Sequence, residues 1–313
     1  MTFNVMAFFV YFCMHKRPDY LQKGDQVAIV APSGRIKEGG LDYAINLLTQ
    51  WGLDITIGDH VFDGHYYFSG REQDRLSDLQ TAINSSGYKA IFCARGGYGL
   101  TKIIDKVDFS PLKKSPKWFI GFSDITAMHL ALSSHGFQSI HSVMPTGFED
   151  ADQSSIESLR NLLFGNFTKI EALTNKHNQQ GKVKAAIIGG NLSLLSASIG
   201  TKYELQTDGK ILFIEEIDEY LYKIDRMLGQ LSRSGKLSNI KGLVVGHLSQ
   251  MKDTNIPFGM DVFELILDHV SKYDFPVIFD VPVGHELLNL PIVQEAVYEL
   301  EVNEVGGSLI LSK

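Results

Sequence analysis

Short apolar runs alternate with stretches of helical spacing along the whole chain. Gln26 to Ala31 is the first such run, preceded by Gly24-Asp25 and followed by Pro32-Ser33-Gly34. It reads as the first strand of a parallel sheet, with a loop at its carboxyl end. Leu41, Ala44, Ile45 and Leu48 follow at helical spacing and stop at Gly52; Asp54 to Ile57 is a second strand. The loop from Gly58 to Phe68 is rich in Asp, His, Gly and Tyr. Ser69-Gly70-Arg71-Glu72 reads as a capping box opening a helix with Leu76, Leu79 and Ile83 on its apolar face. Ala90 to Cys93 is a third strand, ending in Ala94-Arg95-Gly96-Gly97-Tyr98-Gly99-Leu100. Trp118 to Ile120 is a fourth and stops at Gly121. Ile125, Met128, Leu130 and Leu132 then mark a helix ending near Gly136. This alternation predicts a three-layer α/β domain whose ligands bind at strand carboxyl ends.

Residues 147–182 read as a connector, with one helical pattern from Ile156 to Leu163 and a polar tail from Thr174 to Gly181. The second half resumes with a strand from Val183 to Ile188, a tight turn at Gly189-Gly190 and a helix start at Asn191-Leu192. Ile211 to Ile214 is a buried strand running into Glu215-Glu216-Ile217-Asp218-Glu219. A helix with Tyr222, Ile224, Leu228 and Leu231 follows it. Leu243 to His247 is another strand, Val262 to Val270 a helix, and Val277 to Val281 leads into Pro282-Val283-Gly284-His285-Glu286. Ala296–Glu301 and Ser308–Ser312 read as a terminal hairpin. The expected organisation is an apolar extension over 1–16, a first domain over 17–150, a linker over 151–182 and a second α/β domain over 183–313.

Composition narrows the class. With 313 residues, 44% hydrophobic and 21% charged, the chain can bury a sizeable core. A net charge of −7 without a basic block argues against nucleic acid as a partner. Two cysteines, Cys13 and Cys93, suggest no disulfide framework and fit a reducing compartment. No Cys/His spacing reads as a zinc site, and no cofactor or metal is expected. The apolar run from Val5 to Met14 is too short to span a bilayer, which takes roughly 20 residues. It also lacks the flanks of a signal peptide, its charges Lys16 and Arg17 lying on the far side. Three readings remain: a short buried or swapped strand, a weak anchor, or an over-called start with translation beginning at Met14; we favour the last, and no stable membrane insertion is expected.

Ser123 falls on a sharp strand-to-helix turn. Such a turn exposes a hydroxyl and offers the N–H groups of a helix start to an oxyanion. The pattern departs from G-x-S-x-G in having Ile125 at the last position, and a serine there could equally be an N-cap. Closely spaced glycines at Arg95-Gly96-Gly97-Tyr98-Gly99 permit either a tight turn or a backbone anion site. Ser123, one of Glu215 and Glu216, and His285 then stand at strand ends in the order nucleophile, acid, histidine. The bland alternatives are a solvated strand end for the glutamates and a satisfied strand-end histidine for His285.

Six stretches in order carry a resemblance. They are Gly24-Asp25 with Ala31-Pro32-Ser33, Arg95 to Gly99, and Gly121-Phe122-Ser123-Asp124. Gly189-Gly190-Asn191-Leu192 follows, then Leu212 to Glu216 with Ile224-Asp225-Arg226-Met227-Leu228, and Val283-Gly284-His285. From about Arg17 to the C-terminus the chain resembles the LD-carboxypeptidase family of serine peptidases. The resemblance implies a metal-free cytoplasmic enzyme, commonly dimeric. Such enzymes release terminal D-alanine from murein tetrapeptides in cell-wall recycling. It implies Ser123 as nucleophile, Glu215 rather than Glu216 as acid, and His285 as base. It also implies an oxyanion hole from the N–H groups of Asp124 and Gly97, and a site between a nucleophile-bearing domain and a smaller one carrying Glu and His.

An exopeptidase must hold a free carboxylate. Arg95 is the candidate, with a brace for the glycine turn as its alternative role; Arg226 reads as structural. The family's usual Leu-Pro-Leu-Gly after the histidine is here Leu290-Pro291-Ile292-Val293. Two other functions compete. One is an immunity-type hydrolase of peptidyl-nucleotides, for which the sequence identifies no stacking aromatic; the other is a non-catalytic murein-peptide binder.

Overall fold

The computed structural model describes residues 15–166 and 169–312. The apolar run from Val5 to Met14 and the start-site reading lie outside the described residues. The first half holds β1 (Gln26–Val30), α1 (Asp42–Gln50), β2 (Asp54–Ile57), a short hairpin of β3 (Gly64–His65) and β4 (Phe68–Ser69), α2 (Glu72–Asn84), β5 (Tyr88–Cys93), β6 (Trp118–Gly121), α3 (Thr126–Ser134) and β7 (Ser139–His141). Between the halves lie α4 (Gln153–Leu163) and β8 (Lys169–Leu173). The second half holds β9 (Gly181–Asn191), α5 (Leu192–Ala197), β10 (Ile211–Ile217), α6 (Leu221–Arg233), β11 (Gly242–Ser249), α7 (Val262–Val270), β12 (Val277–Ile278), β13 (Ile292–Gln294), β14 (Val297–Asn303) and β15 (Gly306–Leu311).

Two sheets organise these elements. The first runs β13-β7-β6-β5-β1-β2, all parallel apart from β13. The second runs β12-β11-β10-β9-β14-β15-β8, parallel at the β12 side and antiparallel at the β8 side. Side chains alternate across a strand. Trp118 and Ile120 of β6 therefore join a core shared with Phe213 of β10 and Val244 of β11, while Phe119 packs on the other side with Leu79 and Met128. The two halves are thus joined through a continuous apolar layer. Cys93 ends β5 in the cluster on the Phe119 side, where burial pushes its thiol up to about 12.

The second half also lends a strand to the first sheet. Ile292, Val293 and Gln294 pair antiparallel with His141, Ile140 and Ser139. Gln294 exchanges two hydrogen bonds with the backbone of Gly189, donating at 3.1 Å and accepting at 3.0 Å. The departure at Ile292-Val293 therefore forms an edge strand, a role β-branched residues suit.

Two local expectations are corrected. Gly189-Gly190 is not a turn: β9 continues through both residues to Asn191. A Cβ on Gly190, at φ +146°, would lie 2.5 Å from Thr126 Oγ1, so the glycine lets β9 pass the start of α3. The capping box at Ser69 is displaced as well. The N-cap of α2 is Arg71, whose N–H donates to Asp74 Oδ2 at 2.8 Å, because Ser69 Oγ is drawn inward to donate to Gly34 O.

Candidate active site

β6 ends at Gly121, Phe122 stays extended, and Ser123 turns to φ +62° before the chain enters a 3-10 turn over Ser123–Ile125 and then α3. A left-handed serine costs on the order of 1–3 kcal/mol and persists only where the surroundings impose it. Ser123 caps nothing with its side chain, which disposes of the N-cap alternative. A Cβ on Gly121 would come within 2.9 Å of Ile125, so the bulk at Ile125 is accommodated by the glycine that opens the turn.

The residue after Ser123 anchors the turn. Asp124 is buried, and its Oδ2 accepts from Ser33 Oγ at 2.6 Å and from Leu100 N at 2.9 Å. Burial pushes its carboxyl upward, and these two bonds oppose that shift. One carboxylate thus ties the loops after β1 and β5 to the turn after β6. Behind the turn, buried His129 spans Gly121 O at 2.9 Å and Ser139 Oγ at 2.8 Å. Burial lowers its pKa to about 4, so the ring is neutral, with Nε2–H donating to the carbonyl and Nδ1 accepting from the hydroxyl.

Gly96 approaches Ser123 from the loop after β5. A Cβ there would lie 3.0 Å from Ser123 Cβ and 3.3 Å from its Oγ, so any other residue would crowd the hydroxyl. Gly97, at φ +101°, lies beneath the Tyr67 hydroxyl. Arg95 is exposed, and its Nη1 donates to Arg35 O at 2.7 Å, a bond compatible with the bracing alternative.

The second half supplies the other groups. Glu215 and Glu216 are both buried, so neither is a solvated strand end. Strand alternation sends them to opposite faces. Glu216 turns to the start of α5, accepting from Asn191 Nδ2 at 2.7 Å, Ser193 N at 2.8 Å and Ser193 Oγ at 2.7 Å. Glu215 turns toward the first half, and its Oε2 lies 2.6 Å from His285 Nδ1. Gly284, at φ +129°, permits this approach: a Cβ there would lie 3.1 Å from Glu215 Oε2. Burial disfavours the His285 imidazolium, but the Glu215 bond and charge outweigh it and raise the pKa above its usual value. With Nδ1–H given to Glu215, Nε2 is the nitrogen left to take a proton. The His285 ring lies 4.8 Å from the ring of Phe122, the residue before Ser123.

The structure thus brings Ser123, Gly96, Glu215 and His285 to one junction between the halves. It also places aromatic side chains and a cavity around the site. Tyr67 and Tyr98 are exposed aromatics beside the Gly97 loop, and a cavity of about 290 Å³ borders Phe122, Met144 and His285. The Tyr-rich loop from Gly58 was visible in the sequence, but its fold onto Gly97 was not.

This arrangement matches known proteins along its length. Residues 27–142 match the LD-carboxypeptidase N-terminal domain, and residues 184–300 match the LD-carboxypeptidase C-terminal domain. The chain belongs to the LD-carboxypeptidase family. As a member of this serine peptidase family it is a hydrolase. It is 34% identical over 280 residues to a probable murein peptide carboxypeptidase of Bacillus subtilis, covering 88% of each chain. The muramoyltetrapeptide carboxypeptidase of Oxalobacter formigenes superposes with a TM-score of 0.84 at 28% identity, over 92% of this LD-carboxypeptidase and 99% of that chain. The microcin C7 self-immunity protein in complex with aspartyl sulfamoyl adenosine superposes with a TM-score of 0.83, covering 94% and 98%; at 16% identity the likeness is one of fold.

Proposed function

We propose that this LD-carboxypeptidase releases terminal D-alanine from murein tetrapeptides, cutting the L,D bond with a Ser123–His285–Glu215 triad. The observation that carries the reading is the 2.6 Å Glu215–His285 pair, with the His285 ring 4.8 Å from Phe122, the residue before left-handed Ser123. In this reading Ser123 Oγ attacks the scissile carbonyl while His285 Nε2 takes its proton. The N–H groups of Asp124 and Gly97 receive the oxyanion. The C–N bond breaks, the imidazolium protonates the departing amine of D-alanine, and water attacks the acyl-serine with His285 again as base. Buried Glu215 holds the tautomer and stabilises the imidazolium. Arg95, already bonded to Arg35 O, has further guanidinium donors for the substrate carboxylate. Cytoplasmic recycling and a homodimer belong to this reading through the family resemblance.

The test is chromatographic detection of free D-alanine from purified murein tetrapeptide. Release at enzymatic turnover supports the reading; an unchanged tetrapeptide contradicts it. A peptidyl-nucleotide substrate is favoured by one observation: Tyr67 and Tyr98 give the site exposed rings on which a base could stack. Hydrolysis of an aminoacyl sulfamoyl adenosine, with the murein peptide left intact, would select that reading.

A further inference from the structure

Arg75 lies on the buried face of α2, is 2% exposed, and reaches under the loops that flank the Ser123 turn. Its Nη1 donates to Pro32 O after β1 and to Gly99 O after β5, the latter at 2.9 Å. The guanidinium carbon lies 4.9 Å from the centre of the Phe68 ring. The fit is tight: a Cβ on Gly99, at φ +143°, would lie 2.9 Å from Arg75 Nη1 and 3.0 Å from Phe68 Cδ1. Arg75 thus holds the Gly96–Gly99 loop at one end, and Gly34 N, donating to Gly96 O at 3.1 Å, holds it at the other. The same side chain acts on Asp124. Burial pushes the Asp124 carboxyl upward, and the Arg75 charge is among the influences that oppose it. Among the described residues Arg75 forms no ion pair, and its Nε and Nη2 have no acceptor in the protein. A buried charge with two of its three nitrogens unused is a poor stabiliser, and an apolar side chain of similar volume would serve stability as well. What Arg75 adds is placement and charge.

We infer that Arg75 is a positioning residue that presets both donors of the oxyanion hole. The inference rests on the proposed acyl transfer to Ser123. Gly97 stands two residues before Gly99, so the bond to Gly99 O fixes the stretch that carries the Gly97 N–H. Asp124 carries the second N–H, and its carboxylate, facing the Arg75 charge, accepts from Ser33 Oγ and Leu100 N. Leu100 follows Gly99, so both routes meet in one loop. Donors already aimed at the place where charge develops need no reorganisation during the reaction. Arg75 is buried and does not meet the substrate itself. Its effect therefore falls on the transition state and not on substrate binding.

Boronic acids test this. Boron accepts the Ser123 oxygen, the hydroxyl proton passes to His285, and the tetrahedral adduct puts an oxygen in the hole. Two probes are titrated by calorimetry into wild type, Arg75→Met and Arg75→Lys. One is the murein tripeptide with boronic acid in place of its terminal carboxyl; the other is phenylboronic acid, which makes the same adduct without a peptide. Arg75→Met removes donors and charge at similar volume. Its Kd for both boronates should rise, and its kcat for D-alanine release fall, by about 10²-fold. Arg75→Lys keeps the charge but not the planar fork and should lose about tenfold. The tetrapeptide Kd, measured with each Arg75 change added to Ser123→Ala, should stay within about twofold. Boronate Kd values unchanged in both variants overturn the inference, and so does a tetrapeptide Kd that rises as much as the boronate Kd. If Arg75→Met does not fold, Arg75→Lys decides by the same ratios. A wild type that binds phenylboronic acid but leaves murein tetrapeptide intact discards the peptide reading alone, and the phenylboronic acid Kd values still decide on Arg75. A wild type that binds neither boronate overturns the triad and the inference with it.

Discussion

Glu215 and Glu216 are adjacent in the chain and serve opposite faces of β10, one bonded to His285 and the other to the start of α5. Their substitutions should separate cleanly. Glu215→Gln keeps the volume and removes the charge that holds the imidazolium; kcat should fall roughly 10³- to 10⁴-fold in a folded protein. Glu216→Ala strips the acceptor from four buried or half-buried donors, Ile217 N among them, and should cost about 3 kcal/mol. Its thermal midpoint should drop by several degrees while kcat per folded molecule stays near wild type. Calorimetric melts beside steady-state kinetics on both variants check this, and a Glu216 variant that loses kcat without losing stability would reverse the assignment.

The Glu215–His285 pair also sets a pH dependence. The pair raises the His285 pKa, so the proton is held more tightly and the base is disabled at a higher pH than for a free imidazole. The acid limb of kcat/KM should therefore have its midpoint above about 6.5. In Glu215→Gln, where the stabilising charge is gone and burial remains, the limb should shift to lower pH. A pH profile of both proteins measures it; a wild-type midpoint below 6 would count against His285 as the base.

Ser33 and Asp124 connect loops 91 residues apart, so the geometry of the Ser123 turn depends on a bond remote in sequence. Ser33→Ala should cost about 1–2 kcal/mol, since the buried carboxylate keeps the Leu100 N–H. Asp124→Ala leaves both donors unpaired and releases the strained serine, so it should cost about 3 kcal/mol or more and depress kcat as well. Urea denaturation midpoints for the two variants, with kcat measured alongside, give the ranking; equal losses would mean the carboxylate is not the tie.

Much of this was legible in the sequence because it is local. The β6–α3 turn shows as an apolar run broken at Gly121, and Ser123 sits where the period changes. What escaped was set by tertiary contact. Gly189-Gly190 has the look of a turn but is the end of β9, because the constraint on Gly190 is Thr126, from the other half of the chain. Ser69 matches a capping pattern, yet Gly34 O claims its hydroxyl. The residue types at Glu215-Glu216 do not say which one faces His285; only the strand's orientation between β9 and β11 decides that. Asp150 and Asn289 reach one cavity from stretches 139 positions apart, which no spacing rule connects.

Ser123 carries the chemistry in the proposed reaction. The direct measurement is the rate of D-alanine release from murein tetrapeptide by wild type and by Ser123→Ala, with far-UV circular dichroism confirming that both are folded. Release by wild type and a loss of roughly 10⁴- to 10⁶-fold in the variant are expected. Release at comparable rates by both proteins would contradict it.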